Sequence, residues 1–211
     1  QQAAGKAQPA AEYNLGVAYE AGNGVPQNNE EALKWYRLAA GHGRAEAQVN
    51  LGRMYDEGLG VPQNPPAAPR WVHLAAAQGQ PEAELDLGVL YSAGRGAPKN
   101  DAEAVKWYRR AADQGLVDAQ YALGTLYEDG AGAMQDYAEA MRWYRLAAAR
   151  GHAGAQNNIG RLYADGLGVP KDEVKVLMWY NLALPGLTGE EASNALAFRD
   201  ALAEEMDPEQ V

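Results

Sequence analysis

The chain has 211 residues, with 18 Lys and Arg against 28 Asp and Glu, for a formal charge of −10. That balance repels phosphate backbones and anionic lipid, and no basic run offsets it, so nucleic acid is not an expected partner. No apolar run reaches the ~18 residues that would announce a membrane span, and with no cysteine the chain has no disulfides, thiolate metal sites or cysteine nucleophiles.

The first predicted element is a helix over about residues 10–21, where Ala11, Leu15, Ala18 and Tyr19 form one apolar stripe at helical spacing. Gly22 and Gly24 end it, because glycine takes the left-handed conformation of a helix C-terminus at little cost. After Val25-Pro26, Asn28 is placed to cap a second helix that carries Trp35-Tyr36 and Ala39-Ala40 and stops at Gly43. Glu31, three residues beyond the cap, makes this a capping-box pattern that Glu103 and Glu139 repeat.

This helix pair then recurs. Trp35, Trp71, Trp107, Trp143 and Trp179 are spaced by 36 residues, as are Gly16, Gly52, Gly88, Gly124 and Gly160. A period of this size marks a stack of one copied supersecondary unit. A glycine inside a helix costs about 1 kcal/mol relative to alanine, so five of them call for close approach of the second helix. The tryptophans, and nine of the twelve tyrosines, sit in repeating slots and read as packing between helices, with Trp107 at the centre of the core.

The second copy departs from the pattern. Pro65, Pro66 and Pro69 occupy the start of its second helix, which predicts a non-helical stretch over residues 65–69 and a helix beginning near Pro69 or Arg70. After the fifth copy, Thr188 and Glu191 form another capping-box pattern. Ala192, Ala195, Leu196, Arg199, Leu202, Ala203 and Met206 then give one face of a terminal helix that covers the last repeat.

The units read A-x-x-x-L-G-x-x-Y-x-x-G-x-G-V-P and then E-A-x-K-W-Y-R-x-A-A-x-x-G. This resembles the Sel-one-like repeat family, a 36-residue relative of the tetratricopeptide repeats, over residues 10–187. The resemblance implies an all-α fold, a right-handed α/α superhelical solenoid of five helix-turn-helix repeats at about 10–45, 46–81, 82–117, 118–153 and 154–187. Residues 188–206 are expected to be a capping helix and 207–211 a tail. Residues 1–9 align with the end of a preceding repeat or a linker, so the chain is expected to begin inside a repeat.

The resemblance further implies a non-catalytic adaptor that binds a protein or peptide, with first helices lining the concave side. It carries no common catalytic residues, metal or cofactor, and none is expected here. His42, His73 and His152 fall in three different slots and do not converge, and there is no G-x-S-x-G or S-x-x-K pattern.

Where slots differ between copies, the surface is free to be specific. The expected partner-binding face is Tyr13, Val17, Glu20, Val49, Arg53, Asp56, Leu85, Val89, Tyr121, Thr125, Glu128, Asn157 and Arg161. Arg53 and Arg161 are expected to be exposed and to meet a partner's carboxylates. The alternatives are a small-molecule binder of penicillin-type compounds or weak hydrolase, suggested by relatives with paired cysteines that this chain lacks, and a self-assembling element of the bacterial envelope. A monomer is expected, with end-to-end association as the alternative; the compartment stays open, with the bacterial periplasm or secretion favoured and the cytoplasm the alternative.

Overall fold

The computed structural model describes residues 2–206, with side chains from residue 8 onward, so the tail expected at 207–211 lies outside the described residues. Among them there are eleven α-helices and no strand: α1 (Gln2–Ala21), α2 (Asn29–Gly41), α3 (Ala45–Glu57), α4 (Ala68–Ala76), α5 (Pro81–Ala93), α6 (Asp101–Asp113), α7 (Val117–Asp129), α8 (Tyr137–Ala148), α9 (Ala153–Asp165), α10 (Glu173–Ala183) and α11 (Gly189–Glu205). They form two compact units, residues 1–111 and 112–211. In each, the two helices of a repeat pack as a hairpin, and the second helix of one repeat packs on the first helix of the next.

The first helix starts well upstream of residue 10. Residues QAAGKA are mostly strong helix formers, and Pro9 is accommodated inside α1. In the second repeat the prolines displace the α-helix less than expected. Pro65–Ala67 form a 3-10 turn and α4 begins at Ala68, with Pro69 in its first turn, where a missing amide costs nothing. The expectation of a non-helical stretch over 65–69 is therefore corrected: the pyrrolidine φ suits a 3-10 turn.

Each loop closes in the same way. Gly22, Gly58, Gly94, Gly130 and Gly166 are left-handed at the ends of the first helices, with φ of 67 to 75°. The cap residue that follows donates its own amide to a tyrosine carbonyl on the first helix: Asn28 to Tyr19 (2.8 Å), Asn64 to Tyr55 (2.7 Å), Asn100 to Tyr91 (2.9 Å), Asp136 to Tyr127 (2.9 Å) and Asp172 to Tyr163 (3.4 Å). Side chains of Asn28, Asn100, Asp136 and Asp172 accept from the first-turn amides as the sequence suggests. The reciprocal half of the capping box is not made, because the cap amide is already used. Glu31, Glu103 and Glu139 turn instead to Lys34 (2.6 Å), Lys106 (2.5 Å) and Arg142 (2.7 Å).

The core centres on tyrosine more than on tryptophan. Tyr36, Tyr108, Tyr144 and Tyr180 are all buried, whereas among the tryptophans only Trp143 is (1% exposed). Trp107 is half-buried against its cluster, edge-on to His73 (4.9 Å) and under the Arg110 guanidinium (4.7 Å). At the terminus, α11 covers the fifth repeat with Ala192, Ala195 and Leu202 against the core and Met206 buried, while Leu196 remains exposed. Thr188 caps nothing with its side chain, and Glu191 accepts from Asn157 Nδ2 at 3.2 Å.

The glycines inside the first helices are explained by these tyrosines. A Cβ on Gly16, Gly88 or Gly124 would lie 2.4–2.6 Å from the ring of Tyr36, Tyr108 or Tyr144. Gly124→Ala is therefore expected to lower stability by about 1–3 kcal/mol, since overpacking against a ring that cannot move outweighs the ~1 kcal/mol gained in helix propensity. Urea denaturation checks the sign, and a more stable variant would show that the contact is loose.

Candidate functional site: the first-helix faces

Eight of the thirteen expected positions lie in unit 1 and five in unit 2. In unit 1, Val49, Arg53, Asp56 and Val89 line one recess of about 240 Å³, and Tyr13 and Val49 line a smaller one of about 170 Å³. In unit 2, Asn157 and Arg161 line a shallow recess with Tyr180 and Phe198. Tyr13, Val17, Val49 and Tyr121 are partly buried against the cores of their repeats, and Leu85 is partly exposed. Val89 is 39% exposed.

The arginines already have partners within the chain. Arg53 donates to Glu20 Oε1 of the preceding repeat and approaches Glu57 at 3.5 Å; Arg161 donates to Glu128 Oε1. The second oxygen of each acid is taken as well: Tyr36 donates to Glu20 Oε2 (2.7 Å) and Tyr144 to Glu128 Oε2 (2.8 Å). Asp56 and Glu128 are buried, and where the third repeat has Val89 in place of an arginine, Arg95 from the following loop holds Asp56. Thr125 donates to the Tyr121 carbonyl (3.2 Å) and accepts from Tyr144 at 3.3 Å. Arg53 and Arg161 therefore bridge one repeat to the previous one, with side chains that stay partly exposed.

Burial pushes the hydroxyls of Tyr36, Tyr108, Tyr144 and Tyr180 upward, and in Tyr36 and Tyr144 the neighbouring carboxylate adds to the effect. A phenol in the unfolded chain ionises near ~10. Because the folded values lie above that, this stabilisation is complete below about pH 10 and is lost as pH rises toward the folded values. Tyrosinate absorbance should accordingly show a late-ionising class that appears together with alkaline unfolding. A single transition near ~10 in the folded chain would show these rings to be solvated.

One repeating polar slot escapes the signature reading. Glu12, Gln48, Glu84, Gln120 and Gln156 recur every 36 residues, and all are buried. The glutamines donate to a carbonyl near the end of the preceding repeat's second helix: Gln48 to Ala40 (3.3 Å), Gln120 to Ala112 (3.2 Å), Gln156 to Ala148 (3.3 Å). A glutamate has no proton to give there. Glu84, 1% exposed, instead pairs with Arg110 at 2.6 Å, and Arg110 also reaches the Ala76 carbonyl at 3.5 Å. Glu12 pairs with His42 Nδ1 at 2.7 Å. The signal was in the sequence, as a Glu/Gln alternation at the repeat period.

Arg110→Leu, which copies Leu38, Leu74, Leu146 and Leu182 of the other repeats, should cost about 1–3 kcal/mol because the buried Glu84 loses one charged partner. Adding Glu84→Gln should restore stability to within about 1 kcal/mol, since the amide can serve Ala76 as the other glutamines serve theirs. Additive losses in the double mutant would show the two sites to be uncoupled.

The histidines do separate jobs. His42 binds Glu12, His73 meets Trp107, and His152 Nδ1 accepts from the Ala155 amide (3.1 Å) as the cap of α9 while stacking on Tyr121 at 4.3 Å. No helix among the described residues is long and apolar enough to cross a membrane.

A family model described as Sel1 repeat matches residues 9–43, 45–80, 81–116, 117–152 and 153–184. A Sel1 repeat protein from Oxalobacter formigenes is 36% identical, with a TM-score of 0.87 over 96% of this chain and 83% of that one. A protective antigen of uropathogenic Escherichia coli strains, displaying an SLR fold, is 32% identical with a TM-score of 0.82. That alignment covers 95% of this chain and 46% of the antigen, so the chain spans about half the antigen's length. An immunity protein of Pseudomonas aeruginosa shares the fold at 24% identity and a TM-score of 0.51, over 84% of this chain and 68% of that one. No curated protein matches the chain.

Proposed function

The chain belongs to the Sel1 repeat family, whose members generally act as non-catalytic scaffolds for protein interaction, and on that premise we propose that it binds a peptide or protein partner on the first-helix faces of its repeats. The observation that supports this most is a contrast between slots. Tyr13, Val49, Leu85, Tyr121 and Asn157 occupy one slot, and Val17, Arg53, Val89, Thr125 and Arg161 another. Both slots stay partly exposed, yet neither keeps one residue type, whereas the neighbouring Gly16 and Tyr19 slots never change. A fold constraint explains the fixed slots; it does not explain an apolar and aromatic surface that differs in every copy.

The arginine clamps support the reading indirectly. Because Arg53 and Arg161 neutralise Glu20 and Glu128 within the chain, those two acids are balanced where the face carries them. Recognition then rests on Tyr13, Val49, Leu85, Val89 and Tyr121, and the charge pairs hold the face in shape.

Val89 provides the test. With the chain as bait, a captured partner should bind Val89→Glu at least about tenfold more weakly, while stability moves by no more than ~0.5 kcal/mol, as for other exposed sites. Leu38→Glu, on an exposed second-helix position, should leave binding unchanged. The opposite pattern moves the binding surface to the second helices, and a complex made only of this chain favours self-assembly.

A further inference from the structure

Four repeats fill the space over the first-helix glycine with a tyrosine ring, and the second does not. It keeps Gly52 and an acid, Asp56, in the slots of Gly16 and Glu20, but it has Val72 where the others have Tyr36, Tyr108, Tyr144 and Tyr180. A Val72 methyl stands 2.7 Å from the place of a Cβ on Gly52, the position where the ring begins in the other repeats. Beyond it lies the recess of about 240 Å³, open to solvent, with Val49, Val72, Val89 and Leu90 on its apolar side and Asp56, Asp86, Glu57, Arg53 and Arg95 on its charged side. An apolar cavity of ~150 Å³ is enough to take benzene, so one phenol ring fits with room to enter.

The polar end is matched too. In the first and fourth repeats the acid receives a guanidinium on one oxygen and a tyrosine hydroxyl on the other. Asp56 receives Arg95 on Oδ2, and the second repeat supplies no phenol of its own. The chain thus shows twice, in its own core, what completes this arrangement.

We propose that the recess between α3, α4 and α5 accepts the side chain of a tyrosine from a partner peptide, its ring on Gly52 and Val72 and its hydroxyl donating to Asp56. This deepens the function proposed above and rests on it for the ring belonging to a peptide; the recess itself stands on the comparison among repeats. Phenylalanine would fill the same walls without the hydroxyl and should bind less well, because a hydrogen bond to a charged acceptor is then forgone.

The probe is p-cresol, the tyrosine side chain as a free molecule, titrated into the isotopically labelled chain while backbone amide shifts are followed. Saturable shifts centred on Gly52, Val89 and Leu90 are expected, with toluene about tenfold weaker for want of the hydroxyl. N-acetyl-tyrosinamide should move the same amides, and Val72→Tyr, which restores the resident ring, should abolish binding of all three. Should Val72→Tyr fail to fold, Val89→Trp narrows the mouth from an exposed position and is expected to do the same. Shifts scattered over the surface, equal binding of p-cresol and toluene, or undiminished binding in the filled variants would overturn the proposal. If Val89→Glu weakens a captured partner while p-cresol leaves Gly52 untouched, the recess inference alone fails and the scaffold reading stands.

Discussion

Everything in a repeat is arranged around one contact, the face of a buried tyrosine laid on a helix that has no side chain at that point. Close packing of two helices needs small residues on one of them, and the ring then turns the saved space into buried apolar area. Because the ring spans the hairpin, its hydroxyl emerges on the first-helix face beside the acid of the same repeat. The core contact thereby decides where the face carries charge, and the arginine of the next repeat closes on that charge. Packing inside one hairpin and clamping between two hairpins are parts of one construction.

A second set of bonds runs deeper. The final carbonyls of a helix have no partner within it, and burying them unpaired would be costly. Here the next repeat reaches back with a glutamine amide, or at Glu84 with Arg110 in its place. The second helices of the first four repeats are thus finished by their successors, which gives the stack a direction that hydrophobic contact alone would not impose.

Periodicity made the helices, their capping residues and the glycine positions legible, because each follows from local chemistry repeated five times. It misjudged the larger aromatics: tryptophan is the bulkier residue, yet tyrosine is central, since burial depends on which helix face a slot occupies and the two slots are adjacent, Trp35 beside Tyr36. The glutamate half of the capping box failed at Glu31, Glu103 and Glu139 because a carbonyl nine residues upstream had already taken the cap amide, a contact no local motif encodes. Arg53 and Arg161 stood out as departures from the pattern, but their intrachain pairing was not legible, because Glu20 and Glu128 lie 33 residues away and become neighbours only when the hairpins stack.

The exchange at Glu84 bears on how such a chain can grow. The residue that breaks the glutamine rule and the Arg110 that compensates for it belong to the same repeat, whereas the carbonyl they serve belongs to the one before. Unequal recombination at the repeat period copies or deletes whole units, and a unit carrying Glu84 takes its own arginine with it wherever it lands. The compensation is inherited in cis, and the main-chain carbonyl it must meet is offered by any neighbour whatever that neighbour's side chains. A lineage can therefore lengthen or shuffle such arrays without separating Glu84 from Arg110.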